Sequence, residues 1–126
     1  QEQPKETTDM QLYDLSLLKE LDDNQYLYDI MTMFVETSAV QVAELQDLVA
    51  NKQWDKVAPA AHKLKGSTGM FQANELFKLY GKIETTAKQG DYTTAEDLVH
   101  QAVQLYKLVE ESMQKELVIL KQSLEG

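Results

Sequence analysis

The apolar residues of this chain recur at helical spacing in one long segment after another, and no stretch alternates as a half-buried strand would. From about Asn24 to Ala50 the repeat runs through Leu27, Ile30, Met31 and Phe34, then Val42, Leu45, Leu48 and Val49. A second long segment spans about Trp54 to Met70. A third, from about Ala73 to Lys88, puts Leu76, Leu79, Tyr80, Ile83 and Ala87 on one stripe. The last, from about Tyr92 to Gln122, carries Leu98, Ala102, Leu105, Val109, Met113 and Leu120 along a similar face. Ala, Leu, Lys, Gln and Glu fill the remaining positions, and these residues favour helix. Asp22-Asp23-Asn24 and Gly90-Asp91 supply breaks, with Asp91 placed to cap the last helix. Short connections between amphipathic helices favour antiparallel neighbours. The expected fold is therefore all-α, an antiparallel up-and-down four-helix bundle. A shorter segment, Asp14 to Leu21, opens on a capping Asp and places Leu15, Leu18 and Leu21 near one side, which adds a short N-terminal lid helix.

At 126 residues there is room for one compact domain and little more. Residues 1–11 are polar, contain Pro4 and show no apolar period, so they read as a linker or flexible tail. The bundle is expected over residues 12–123, and residues 124–126 (Leu-Glu-Gly) read as a cloning remnant. The opening hints at a domain cut from a longer protein. No apolar run approaches the roughly 18 residues that would suggest a membrane span. Twelve basic against 21 acidic residues give a formal net charge of −9, which repels phosphate backbones and anionic lipid. Neither nucleic acid nor a membrane is an expected partner. Without cysteine there is no disulfide framework, and the first residues lack the pattern of a signal peptide, so the expected compartment is the cytoplasm.

An apolar stripe at helical period ordinarily reports a core, and only the Trp54–Met70 segment shows more. Within it, Ala60-Ala61-His62-Lys63-Leu64-Lys65-Gly66-Ser67-Thr68-Gly69 holds two glycines, each costing a helix about 1 kcal/mol relative to Ala. His62, Lys65, Gly66 and Gly69 share one helical face, while Val57, Ala61, Leu64 and Thr68 line the adjoining apolar side. The histidine can thus face water while the helix stays packed. An imidazole ordinarily titrates at about 6.5 and is a competent nucleophile at cell pH. Lys65, one turn on, can offset arriving negative charge, and Gly66 and Gly69 leave the helix backbone open to close approach. Lys63 and Ser67 complete the exposed surface, to which the N-terminal helix and the Ala73–Lys88 helix are expected to contribute.

The run from His62 to Gly69 is similar to the His-x-Leu-Lys-Gly-Ser/Ala signature of histidine-containing phosphotransfer domains. Asp14-Leu15-Ser16-Leu17-Leu18, the long helix before the motif, Leu76 and the Ile83-Glu84 pair after it, and the helix beyond Gly90-Asp91 resemble the same plan over residues 12–120. The resemblance implies that His62 accepts phosphate from an aspartyl phosphate on one receiver domain and passes it to another receiver's aspartate. It implies Lys65 as the phosphoryl-stabilising residue, Gly66 as the clearance residue, and a module possessing no catalytic machinery of its own; between a stand-alone protein and the end of a hybrid sensor kinase, the linker-like start favours the kinase. The domain would bind no cofactor, the receiver supplying Mg²⁺, and a monomer would suffice. Gln72 departs from the pattern, because many family members carry glycine there. Pro59, if mid-helix, removes a backbone hydrogen bond just before His62.

Other chemistries find little support. Lys65-Gly66-Ser67-Thr68-Gly69 lacks the order and the preceding strand of a nucleotide-binding loop. His62 and His100, without cysteine, give no zinc pattern, and His100 reads as an ordinary surface or core residue. No Ser-His-Asp grouping emerges. The alternative of another class is a helical interaction or dimerisation domain that carries no phosphate.

Overall fold

The computed structural model describes residues 11–126. The stretch expected to be a linker lies, apart from Gln11, outside the described residues. Helix α1 is Ser16–Lys19, α2 Asn24–Ala50, α3 Trp54–Met70, α4 Asn74–Lys88 and α5 Tyr92–Glu125, and no strand occurs among the described residues. Each long helix packs on the next, and α2 also packs on α5, so α2 to α5 close into a ring around one core. Three-residue connections between packed neighbours leave only antiparallel directions, which gives the expected up-and-down bundle.

All three connections stop their helices the same way. Lys52, Gln72 and Gly90 each take a left-handed backbone conformation, with φ of 56°, 52° and 81°. In each turn two backbone N–H groups reach back to otherwise unpaired carbonyls of the helix end: Lys52 to Val49 and Gln53 to Leu48, Gln72 to Gly69 and Ala73 to Thr68, Gly90 to Ala87 and Asp91 to Thr86. This is the Schellman arrangement, for which glycine is the cheapest residue. Gln72 therefore occupies the same left-handed position that a glycine would. At the helix starts, the carboxylates of Asp23 and Asp91 accept from the N–H groups of Tyr26 and Thr94.

The core is the set of apolar stripes turned inward. Leu27, Met31, Leu45, Leu64, Leu76, Ile83, Val109 and Met113 are all but sealed from solvent. Phe34 of α2 meets Phe71 at the α3–α4 turn with ring centroids 4.7 Å apart, and Trp54 stacks on Tyr92 at 4.6 Å where α3 and α5 begin. The Tyr106 hydroxyl donates to the Val35 carbonyl at 3.3 Å and ties α5 to α2.

The N-terminal helix is shorter than its sequence pattern suggests, a single turn capped by no side chain. Asp14 does not cap it; its carboxylate accepts from the N–H and hydroxyl of Ser16 in a local turn that competes with helix. Leu15 is buried and Leu18 half-buried, but Leu21 lies in the turn beyond the helix and is exposed. The segment is held from outside itself. The Asp14 N–H donates to the Phe71 carbonyl at 2.9 Å, and the Tyr13 and Ser112 hydroxyls pair at 2.8 Å. At the other end, α5 continues through Leu124 and Glu125 as helix.

Candidate functional site

Helix α3 divides as its sequence requires. Val57, Ala61, Leu64 and Thr68 are buried against the bundle, which turns His62, Gly66 and Gly69 to the outside. Pro59 stands in the second turn, inside the helix, so the Asp55 carbonyl lacks the usual donor four residues on. Asp55 is exposed, and water can take that donor's place. Downstream of Pro59 the helix runs on without a break through the motif.

The His62 side chain is 66% exposed, yet its ring is not free to turn. Nδ1 lies 3.1 Å from Oε2 of Glu84 on α4. An ionised carboxylate only accepts hydrogen bonds, so in the neutral imidazole Nδ1 carries the hydrogen and donates it. That fixes the tautomer and leaves the lone pair on Nε2, which has no hydrogen-bond partner among the described residues. Glu84 itself is only 14% exposed and is the hub of the site. Lys65 Nζ sits 3.2 Å from its Oε1, and Lys88 Nζ 3.3 Å from its Oε2. Burial raises the carboxyl's pKa, but hydrogen bonds from Lys65, Lys88 and His62 outweigh it and hold the group below its usual range. Lys65 is further placed by Phe77, whose ring centroid is 5.8 Å from Nζ.

Neither glycine is demanded by the fold. A Cβ built on Gly66 would meet nothing within 4 Å, and one on Gly69 would only touch the Phe77 ring at 3.6 Å, an ordinary contact. The helical cost of Gly66 thus has no compensation inside the protein. What Gly66 does is floor an apolar groove of about 240 Å³ between α2 and α3, walled by Ile30, Met33, Phe34, Ser67 and Met70. Met33 and Met70 stand well out of it, at 65% and 57% exposure.

Of the residues singled out in the sequence, His62, Lys65, Gly66 and Gly69 share one exposed face of α3. Lys63 is exposed beside His62, and Ser67 is half-buried in the groove wall, its hydroxyl donating to the Leu64 carbonyl at 3.1 Å. Helix α2 forms the other wall of the groove, to which the N-terminal helix gives no residue, while α4 contributes Phe77 and Glu84 on the opposite flank. The sequence places Glu84 in the family pattern but assigns it no role. Nothing local marks it, since it lies 22 residues from His62 and reaches it only through the packing of α4 on α3. Its place beside the buried Ile83 and one turn before Lys88 was the available hint. His100 is exposed on α5, and no group of three or more metal-ligating side chains occurs among the described residues.

No curated protein and no solved structure matches the chain. The family model described as Hpt domain matches residues 29–125, from the first turns of α2 to the end of α5. This span contains the whole four-helix bundle but for the start of α2, together with the exposed histidine, its carboxylate partner and the adjoining groove. The chain therefore belongs to the Hpt domain family, the phosphocarrier modules of two-component signalling that work with receiver domains.

Proposed function

We propose that His62 is the phosphoacceptor, and that the domain relays a phosphoryl group from the aspartate of one receiver to the aspartate of another. The observation that carries this reading is the His62–Glu84 contact, which in the neutral ring puts the hydrogen on Nδ1 and the lone pair on Nε2 of an exposed side chain one turn before Gly66. Nε2 attacks the phosphorus of an aspartyl phosphate; the N–P bond forms as the P–O bond to the aspartate breaks, and the carboxylate leaves with the electron pair. The ring then bears positive charge, which the Glu84 carboxylate offsets through the Nδ1 hydrogen. Lys65 is close enough to shift from Glu84 toward the incoming phosphoryl oxygens. Attack by a second receiver's aspartate reverses the sequence of bonds. Mg²⁺ belongs to the receiver in this scheme.

The apolar groove beside Gly66, with Met33, Met70 and Ser67 around it, serves as the docking surface together with the exposed Lys63, and Met side chains suit a surface that must fit more than one partner. In this reading the first receiver belongs to a hybrid sensor kinase, the relay works in the cytoplasm, and the domain acts as a monomer. No helix among the described residues is long and apolar enough to cross a membrane.

The test is to incubate the protein with a phosphorylated receiver domain and Mg²⁺ and to look for acid-labile, alkali-stable phosphate. The reading expects label on the wild type and none on His62→Gln. Label retained by that variant, or none on the wild type with any receiver tried, rejects it.

A further inference from the structure

The net charge of −9 hides a division of the bundle into two halves of opposite sign. Helix α2 carries four carboxylates and no lysine, and α5 carries six carboxylates against three lysines. The adjacent pair α3 and α4 reverses this, with six lysines against three carboxylates. Because α2 packs on α5 and α3 on α4, the sign changes across the molecule rather than along it. The lysines of the positive half stand at the surface: Lys56, Lys63, Lys78, Lys82 and Lys88 are exposed. Glu84 neutralises only part of this charge, being shared by Lys65 and Lys88, and Lys78 meets the exposed Glu75 at 3.4 Å. An open groove of about 720 Å³ runs along α4 where it meets the start of α5, bordered there by Thr94 and Leu98, and Lys65, Lys78 and Lys82 line its α3 and α4 side. Through Lys65 it joins the surroundings of His62.

We infer that this lysine-lined face of α3 and α4 steers a partner with an acidic surface onto the His62 side of the bundle. The inference rests on the phosphotransfer reading, which supplies an anionic partner: an aspartyl phosphate adds negative charge where docking must occur. Fields of this kind act on the encounter rate and on orientation more than on the lifetime of the complex, and salt screens them over about 10 Å. The consequence runs against the net charge. Two proteins that are both acidic overall should associate faster as salt screens their repulsion, whereas steering by a local positive face makes association slower.

The experiment measures the second-order rate of phosphoryl transfer to His62 from an isolated, acidic receiver domain phosphorylated by acetyl phosphate in Mg²⁺, as NaCl is raised. The wild-type rate should fall about tenfold between low and physiological-to-high salt. Lys78→Glu/Lys82→Glu should lower the low-salt rate by a similar factor and flatten the salt dependence, while its rate at saturating receiver stays at the wild-type value. Lys107→Glu/Lys115→Glu on α5 should leave the salt dependence as it is. A wild-type rate that rises with salt or ignores it overturns the inference while leaving His62 as the acceptor. Absence of any transfer to His62 overturns the phosphotransfer reading itself, and the inference with it. Salt-insensitive transfer together with Lys78- and Lys82-dependent sedimentation on phosphatidylserine vesicles would reassign the face to lipid.

Discussion

Glu84 holds three side chains on one carboxylate, and removing its charge separates their roles. Glu84→Gln keeps the size of the side chain but no longer fixes the Nδ1–H tautomer of His62, and it releases Lys65 and Lys88. Phosphoryl transfer should slow about tenfold with the fold retained, as single-turnover rates and circular dichroism would show. The same carboxylate makes stability depend on pH. Its pKa in the fold lies below the ordinary 4.5, so its stabilising contribution is complete above that value and is lost as pH falls through the lowered one. The stability difference between wild type and Glu84→Gln should therefore be constant near neutrality and shrink on acidification below 4.5. Gly66 argues from the opposite direction, as a residue the fold does not need. Gly66→Ala should stabilise the protein by about 1 kcal/mol in chemical denaturation, because a Cβ there meets only open space. Gly66→Leu should fill the groove floor and weaken receiver binding; undiminished binding would remove Gly66 from the docking surface.

At the level of elements, the helix ends obey backbone chemistry that the sequence shows unevenly. Gly90 and Asp91 announce their turn because glycine tolerates positive φ and aspartate caps. Lys52 and Gln72 adopt the same left-handed conformation without any residue to signal it, so those turns were legible only as gaps between apolar stripes. Gln72→Gly should stabilise the protein by about 1 kcal/mol at most, since relief of the left-handed strain is offset in part by the greater freedom of glycine in the unfolded chain. Thermal unfolding checks the sign. Bundle helices were readable because a stripe such as Leu76, Tyr80, Ile83 and Ala87 is buried all along its length. The N-terminal segment was not, because its position is set by contacts with Phe71 and Ser112, distant in sequence, and because Asp14 bonds locally instead of capping. The site was legible to the same extent: the faces of α3 come from helical period alone, but the Glu84 contact and the α2 wall of the groove depend on how helices pack side by side.

For the molecule as a whole, the ring of helices does two things at once. It buries one face of α3 so firmly that His62 needs no surrounding pocket, and it gathers the lysines of α3 and α4 on one flank of that histidine. Helix α5, at 34 residues, is twice the length of α3 with its 17, so it extends past the bundle's shorter members. The acceptor atom is where chemistry and architecture meet, and it can be observed directly. Phosphorus and nitrogen NMR of the ¹⁵N-histidine-labelled protein, after transfer from a receiver, should show a single phosphohistidine at His62 with the phosphorus bonded to Nε2 and the hydrogen on Nδ1. Phosphorus on Nδ1, or on any residue other than His62, would contradict the account.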